Sequence, residues 1–77
     1  MKEFVEFIAK HLVDHPENVY IEVLLPNDKT MELTLKVSAD DVGKVIGKQG
    51  KTAQAMRTLL TAIAAKAGKR AILKILD

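Results

Sequence analysis

The spacing of apolar residues changes period three times along this 77-residue chain, and the order of those periods restricts the fold more than any other feature. Met1, Phe4, Val5, Ile8 and Leu12 recur at helical intervals, so residues 2–14 read as an amphipathic helix. Pro16 stops it, and His11 and His15 near its end suit the negative end of the helix dipole. Strict alternation follows. Val19, Ile21, Val23 and Leu25 share one face of a strand, with Tyr20, Glu22 and Leu24 on the other. Pro26-Asn27-Asp28-Lys29 supplies turn residues. Met31, Leu33, Leu35 and Val37 alternate with Glu32, Thr34 and Lys36 in a second strand, and the short connection makes the pair an antiparallel hairpin.

Helical spacing then returns. Ser38 is placed to cap a helix, with Asp40 and Asp41 in its first turn. Val42, Val45 and Ile46 form one apolar face, which Gly47 to Gly50 interrupts. From Lys51 a long helix runs to about Ala67, with Ala53, Met56, Leu60, Ile63, Ala64 and Ala67 on one side, and Gly68 ends it. Residues 71–76, AILKIL, form a last short strand. The order α-β-β-α-α-β predicts an α+β fold, a three-stranded sheet with three helices on one face. The other face would carry Tyr20, Glu22, Leu24, Thr34, Lys36, Ile72, Lys74 and Leu76, a mixture apolar enough in places to form part of an interface, as would Phe7 on the first helix.

Size and composition narrow the function classes. Seventy-seven residues, 48% of them apolar, make one small globular domain whose stability a partner chain would help. There is no cysteine, so no disulfide framework and no thiolate nucleophile or ligand. Glu3, Glu6 and Lys10 break the N-terminal apolar residues, so the start does not read as a signal peptide; no run reaches a membrane span, and the expectation is a cytoplasmic protein. Charge is uneven. Residues 1–42 hold four lysines against nine carboxylates, a net −5; residues 43–77 hold eight basic residues against Asp77, a net +7. A basic half suits an anionic partner, and equally suits solvated helix faces. His11, Asp14 and His15 are read as the cationic end of a helix rather than a metal site, and no acid–base constellation suggests an enzyme.

The stretch Val45-Ile46-Gly47-Lys48-Gln49-Gly50-Lys51-Thr52 carries the chemistry. A Walker A loop and a dinucleotide fingerprint both require glycine at 45, which is Val45, and both require a strand before the loop, where a helix is expected. Helix, G-x-x-G, helix fits instead. The glycines let the chain turn sharply and let a ligand backbone approach. The following helix aims free N–H groups and its positive end at a bound phosphate. Lys48 adds a mobile cation inside the loop, Gln49 contributes backbone, and Lys44 and Lys51 flank it. Val42, Val45 and Ile46 are expected to form an apolar floor for bases. The three aromatic residues, Phe4, Phe7 and Tyr20, lie far from the loop in sequence, so base stacking on aromatics is not expected.

VIGKQG between two helices resembles the KH domain, whose GxxG loop clamps about four nucleotides. The element order is similar to the type II, bacterial arrangement, and length and sequence together resemble the KhpA family of small single-KH proteins, with residues 1–77 as one KH domain. That resemblance implies single-stranded RNA as ligand, bound at Val42, Lys44, Val45, Ile46, Gly47, Lys48, Gln49, Gly50 and Lys51. It also implies an RNA chaperone or post-transcriptional role. No cofactor, metal, small-molecule substrate or membrane is implied. The implied partners are a second copy of the chain and a larger Jag-type KH protein, with a role in cell length and wall homeostasis. A protein-interaction module on the same fold, without RNA, is the alternative. Ala53 departs from the family pattern, in which many members carry a large aliphatic residue; it either narrows the packing of the second helix or widens the groove.

Overall fold

The computed structural model describes residues 1–76. Helix α1 (Lys2–Leu12) leads through a 3-10 turn (Pro16–Asn18) into strand β1 (Tyr20–Asn27) and strand β2 (Thr30–Lys36). A second 3-10 turn (Ala39–Asp41) precedes helix α2 (Val42–Ile46). The tight turn Lys48–Gly50 joins α2 to helix α3 (Lys51–Lys66), and strand β3 (Arg70–Ile75) completes the order α-β-β-α-α-β.

The sheet runs β1-β2-β3, with β1 antiparallel to β2 and β2 parallel to β3. A parallel pair needs a long crossover, and the two helices α2 and α3 supply it. Register puts the apolar sets on one face: Ile21 lies opposite Leu35, Val23 opposite Leu33, and Leu33 opposite Leu73. Val5 and Ala9 of α1, Val45 of α2, and Met56 and Leu60 of α3 close over that face as one core. The protein is therefore α+β, with three helices on one side of a three-stranded sheet. No described helix is long and apolar enough to cross a membrane.

Four local expectations change. Helix α1 stops at Leu12, where Val13 turns extended (φ −97°, ψ 160°); Val13 enters the core and Leu12 is left at the surface. Leu25 is 66% exposed rather than sharing the inner face with Val23. The cause is a register shift of β1 on β2 between Leu24 and Asn27, around Pro26, which has no N–H to offer the ladder. Ser38 makes no cap: its Oγ accepts from Asn18 Nδ2 at 2.8 Å. On α3, Ala53, Met56, Leu60 and Ala64 are buried as their spacing requires, but Ile63 is 40% exposed and Ala67 lies beyond the helix at the surface.

Candidate functional site

The loop between α2 and α3 is built from backbone conformations that side chains resist. Gly47 adopts φ 79°, ψ 171°, a region open almost only to glycine. A Cβ there would collide with Thr52 Oγ1 and sit 2.6 Å from Thr52 Cβ and 2.8 Å from its backbone nitrogen. Gln49 (φ 58°, ψ 26°) and Gly50 (φ 75°, ψ 10°) are both left-handed, and a Cβ at Gly50 meets nothing within 4 Å. Two left-handed residues in succession reverse the chain, so Lys48 and Gln49 stand exposed at the tip. The amides of Gly47 and Gly50 are held inside, donating to Gly43 O at 2.9 Å and Gly47 O at 3.1 Å.

Helix α3 begins at this turn with no side-chain cap and no acidic residue in its first turn. Lys48 and Lys51 therefore sit at the positive end of a helix, where a cation is disfavoured by roughly 0.3–1 kcal/mol. Among the described residues neither forms an ion pair. Positive charge and a dipole end are concentrated at one exposed tip, and an anion would satisfy both.

Lys44 is different. Its ammonium binds Asp14 Oδ2 and Asp41 Oδ1, the latter at 3.3 Å. Hydrogen bonds to Asp14 and then Asp41 raise its pKa. Asp41 is the centre of this group and is fully buried. Its carboxylate accepts from the Asp14 and His15 backbone N–H groups at 3.2 and 3.0 Å, and from His15 Nδ1 at 3.1 Å. Burial alone would push the Asp41 carboxyl up; the bonds from Asp14, His15 and Lys44 overcome it and hold the group at about 2. The same bond to Asp41 raises the His15 pKa. Sequence placed Asp41 merely in a helix's first turn, because two adjacent aspartates give no sign of which one turns inward. His11 is not part of this group; its Nδ1 lies 2.8 Å from Phe7 O.

The apolar floor is also redrawn. Val45 has no exposed surface and belongs to the core, so it supports the loop from beneath and is out of reach of a ligand. Val42 and Ile46 are half-buried beside it. A groove of about 370 Å³ lies instead between α3 and β3, lined by Arg57, Thr61, Ala65, Lys69, Arg70 and Leu73 among others. Helical geometry explains it: Gln54, Arg57, Thr61 and Ala65 form one stripe of α3 that starts at the loop end. Arg57 Nε donates to Leu73 O at 3.3 Å, pinning the groove's two walls. The signal was legible as that stripe, but a sequence does not tell that β3, an edge strand, runs beside it.

The loop differs from a nucleoside-phosphate site on both counts raised by the sequence: α2, not a strand, feeds it, and position 45 is a core valine. Comparison with known proteins agrees with that distinction. The family described as KhpA/KhpB, KH domain, matches residues 2–75. The chain belongs to this family.

Its relatives match along nine-tenths or more of their length. The RNA-binding protein KhpA of Clostridium perfringens is 50% identical over 76 residues, 99% of this chain and 100% of that protein. The RNA-binding protein KhpA of Aquifex aeolicus is 47% identical over 77 residues, 100% of this chain and 96% of its own. That of Borreliella burgdorferi is 49% identical over 75 residues, 97% of this chain and 90% of its own. No solved structure gives a significant match. The KhpA/KhpB KH family is not a class of enzymes.

Proposed function

We propose that this protein binds single-stranded RNA, with residues 1–77 acting as one KH domain. The backbone of Gly47, Lys48, Gln49 and Gly50 grips the sugar-phosphate chain, and Lys48 and Lys51 supply the free charge. Bases pass from the loop, beside Val42 and Ile46, into the groove between α3 and β3, where Arg57, Lys69 and Arg70 line the path. The single observation that carries this reading is the pair of lysines, without an ion pair among the described residues, at the uncapped, positive start of α3. Isolated, that arrangement is unfavourable; beside phosphate it is complementary. The relatives' name, RNA-binding protein, supports the same ligand.

One KH unit holds few nucleotides, so two copies on one strand gain avidity. Self-association is therefore part of the reading, as is pairing with a larger Jag-type KH protein. The exposed apolar side chains Leu59 and Ile63 support it: they flank the buried stripe of α3 on the side away from Arg57 and Thr61, leaving the groove open. A cytoplasmic role as RNA chaperone or post-transcriptional regulator, bearing on cell length and wall homeostasis, follows from family resemblance.

The test is the double variant Lys48→Asp, Gln49→Asp. Aspartate tolerates the left-handed conformation of position 49, so the fold is kept, while two negative charges replace the phosphate contact. Gel shift or fluorescence anisotropy with single-stranded RNA should show binding lost. Undiminished binding by a folded double variant refutes the clamp, and a wild-type protein that self-associates yet never binds RNA makes it an interaction module.

A further inference from the structure

The loop hangs from α2, a helix of five residues and little more than one turn. So short a helix has no stability of its own, and its direction must be set from outside. Val45 holds its inner face in the core. At its start stands Asp41, a charge with no exposed surface that the RNA-binding reading does not use. A buried carboxylate is costly unless its bonds are made, and all of these come from other parts of one junction: two backbone amides and one imidazole from Asp14 and His15, just after α1, and the ammonium of Lys44 on α2 itself. Lys44 reaches on to Asp14, closing the bracket.

We propose that Asp41 is a positioning residue for the loop: its buried carboxylate clamps the segment just after α1 to the start of α2 and so sets the angle at which Gly47–Gly50 is presented. Lys44 belongs to that clamp. It acts through α2 and does not touch phosphate. Lys48 and Lys51, which form no ion pair among the described residues, are the loop's cations for phosphate. The effect on RNA rests on the RNA-binding reading above; the effect on loop geometry does not.

Simple electrostatics and positioning predict opposite signs. Removing a carboxylate near an anion site should tighten anion binding. Loss of a clamp should weaken it. The experiment uses Asp41→Asn, and Lys44→Met as a partly exposed variant that keeps the protein folded if Asp41→Asn does not. Ile21→Val, a sheet-core change, serves as a control for general destabilisation, compared at matched loss of melting temperature. The probe is a fluorescein-labelled, randomised single-stranded RNA of about twelve nucleotides, three times the ~4 a KH loop holds. Affinity is read across a salt series, and amide hydrogen exchange is read at Gly47 and Gly50 without RNA.

Asp41→Asn and Lys44→Met should each weaken binding about tenfold, ~1.4 kcal/mol, with the slope of log affinity against log salt unchanged. Lys48→Gln should lower that slope by about 0.7, the signature of one lost phosphate contact on a single strand. Ile21→Val should bind as wild type. Exchange at Gly47 and Gly50 should quicken in the two clamp variants while sheet amides keep their protection. Equal or tighter binding by Asp41→Asn, or a reduced salt slope for Lys44→Met, overturns the proposal. If wild type fails to bind RNA, the RNA reading falls alone, and the exchange rates decide the clamp: unchanged rates at Gly47 and Gly50 sink it.

Discussion

The two ends of α2 treat charge in opposite ways. At its start, Asp41 is buried and the side chains that reach it are paired: Lys44 meets Asp14 and Asp41, and His15 meets Asp41. At its other end, one turn later, Lys48 stands exposed without an ion pair among the described residues, at the positive start of α3. Three residues separate two lysines that look alike in sequence. The difference teaches that a basic residue near a loop is not thereby a ligand. Its neighbours in space decide whether its charge is spent within the fold or presented to solvent.

The largest way to break the comparison is Gly47→Ala. Its Cβ has no room beside Thr52 and its φ of 79° with ψ of 171° is strained for any side chain. Destabilisation of about 3 kcal/mol is expected from strain and collision together, read by urea unfolding, with RNA affinity lost in parallel. A stable, RNA-binding Gly47→Ala protein would show that the turn can be made another way.

The clamped end answers to pH. Asp41 has a depressed pKa, so its contribution is present above the unfolded value of 3.8 and is lost as pH falls toward about 2. His15 has a raised pKa, so its contribution is complete below 6.5 and is lost as pH rises through the raised value. The melting temperature should therefore peak in mildly acidic solution, between the two. His15→Asn should remove the decline on the alkaline side and leave the acid limb. A flat profile above pH 6 in wild type would mean that the imidazole adds nothing to the clamp.

A smaller effect sharpens the contrast within the loop. Gly50→Asn keeps a left-handed position that asparagine tolerates, and its Cβ meets nothing within 4 Å. A cost of only about 0.5–1 kcal/mol is expected, with RNA binding kept. Similar losses at positions 47 and 50 would show that backbone conformation alone, not the contact with Thr52, governs this turn.

What could be read without coordinates followed rules that are local. Alternation in Ile21–Val23 and Leu33–Leu35, and the three- and four-residue steps of Val5–Ile8 and Met56–Leu60, need only a strand's period of two and a helix's period of 3.6. The reading failed where a neighbour distant in sequence intervenes. Leu25 turned outward because β1 slips against β2 at Pro26. Ile63 fits the stripe of α3 but overhangs the edge of what the helix covers, since a helix's apolar arc can be wider than the surface beneath it. Val45, Lys44 and Asp41 share one short stretch, yet one is core, one is a strut and one is the anchor.

The element order, the glycine-bounded loop and the family were determined by sequence alone, because periodicity, turn chemistry and motif spacing act over a few residues. Only the tertiary structure decided which lysine is tied to carboxylates, which aspartate is buried and where a strand could lie. Those depend on which residues burial brings together: the end of α1 against the start of α2, and the edge of β3 beside α3.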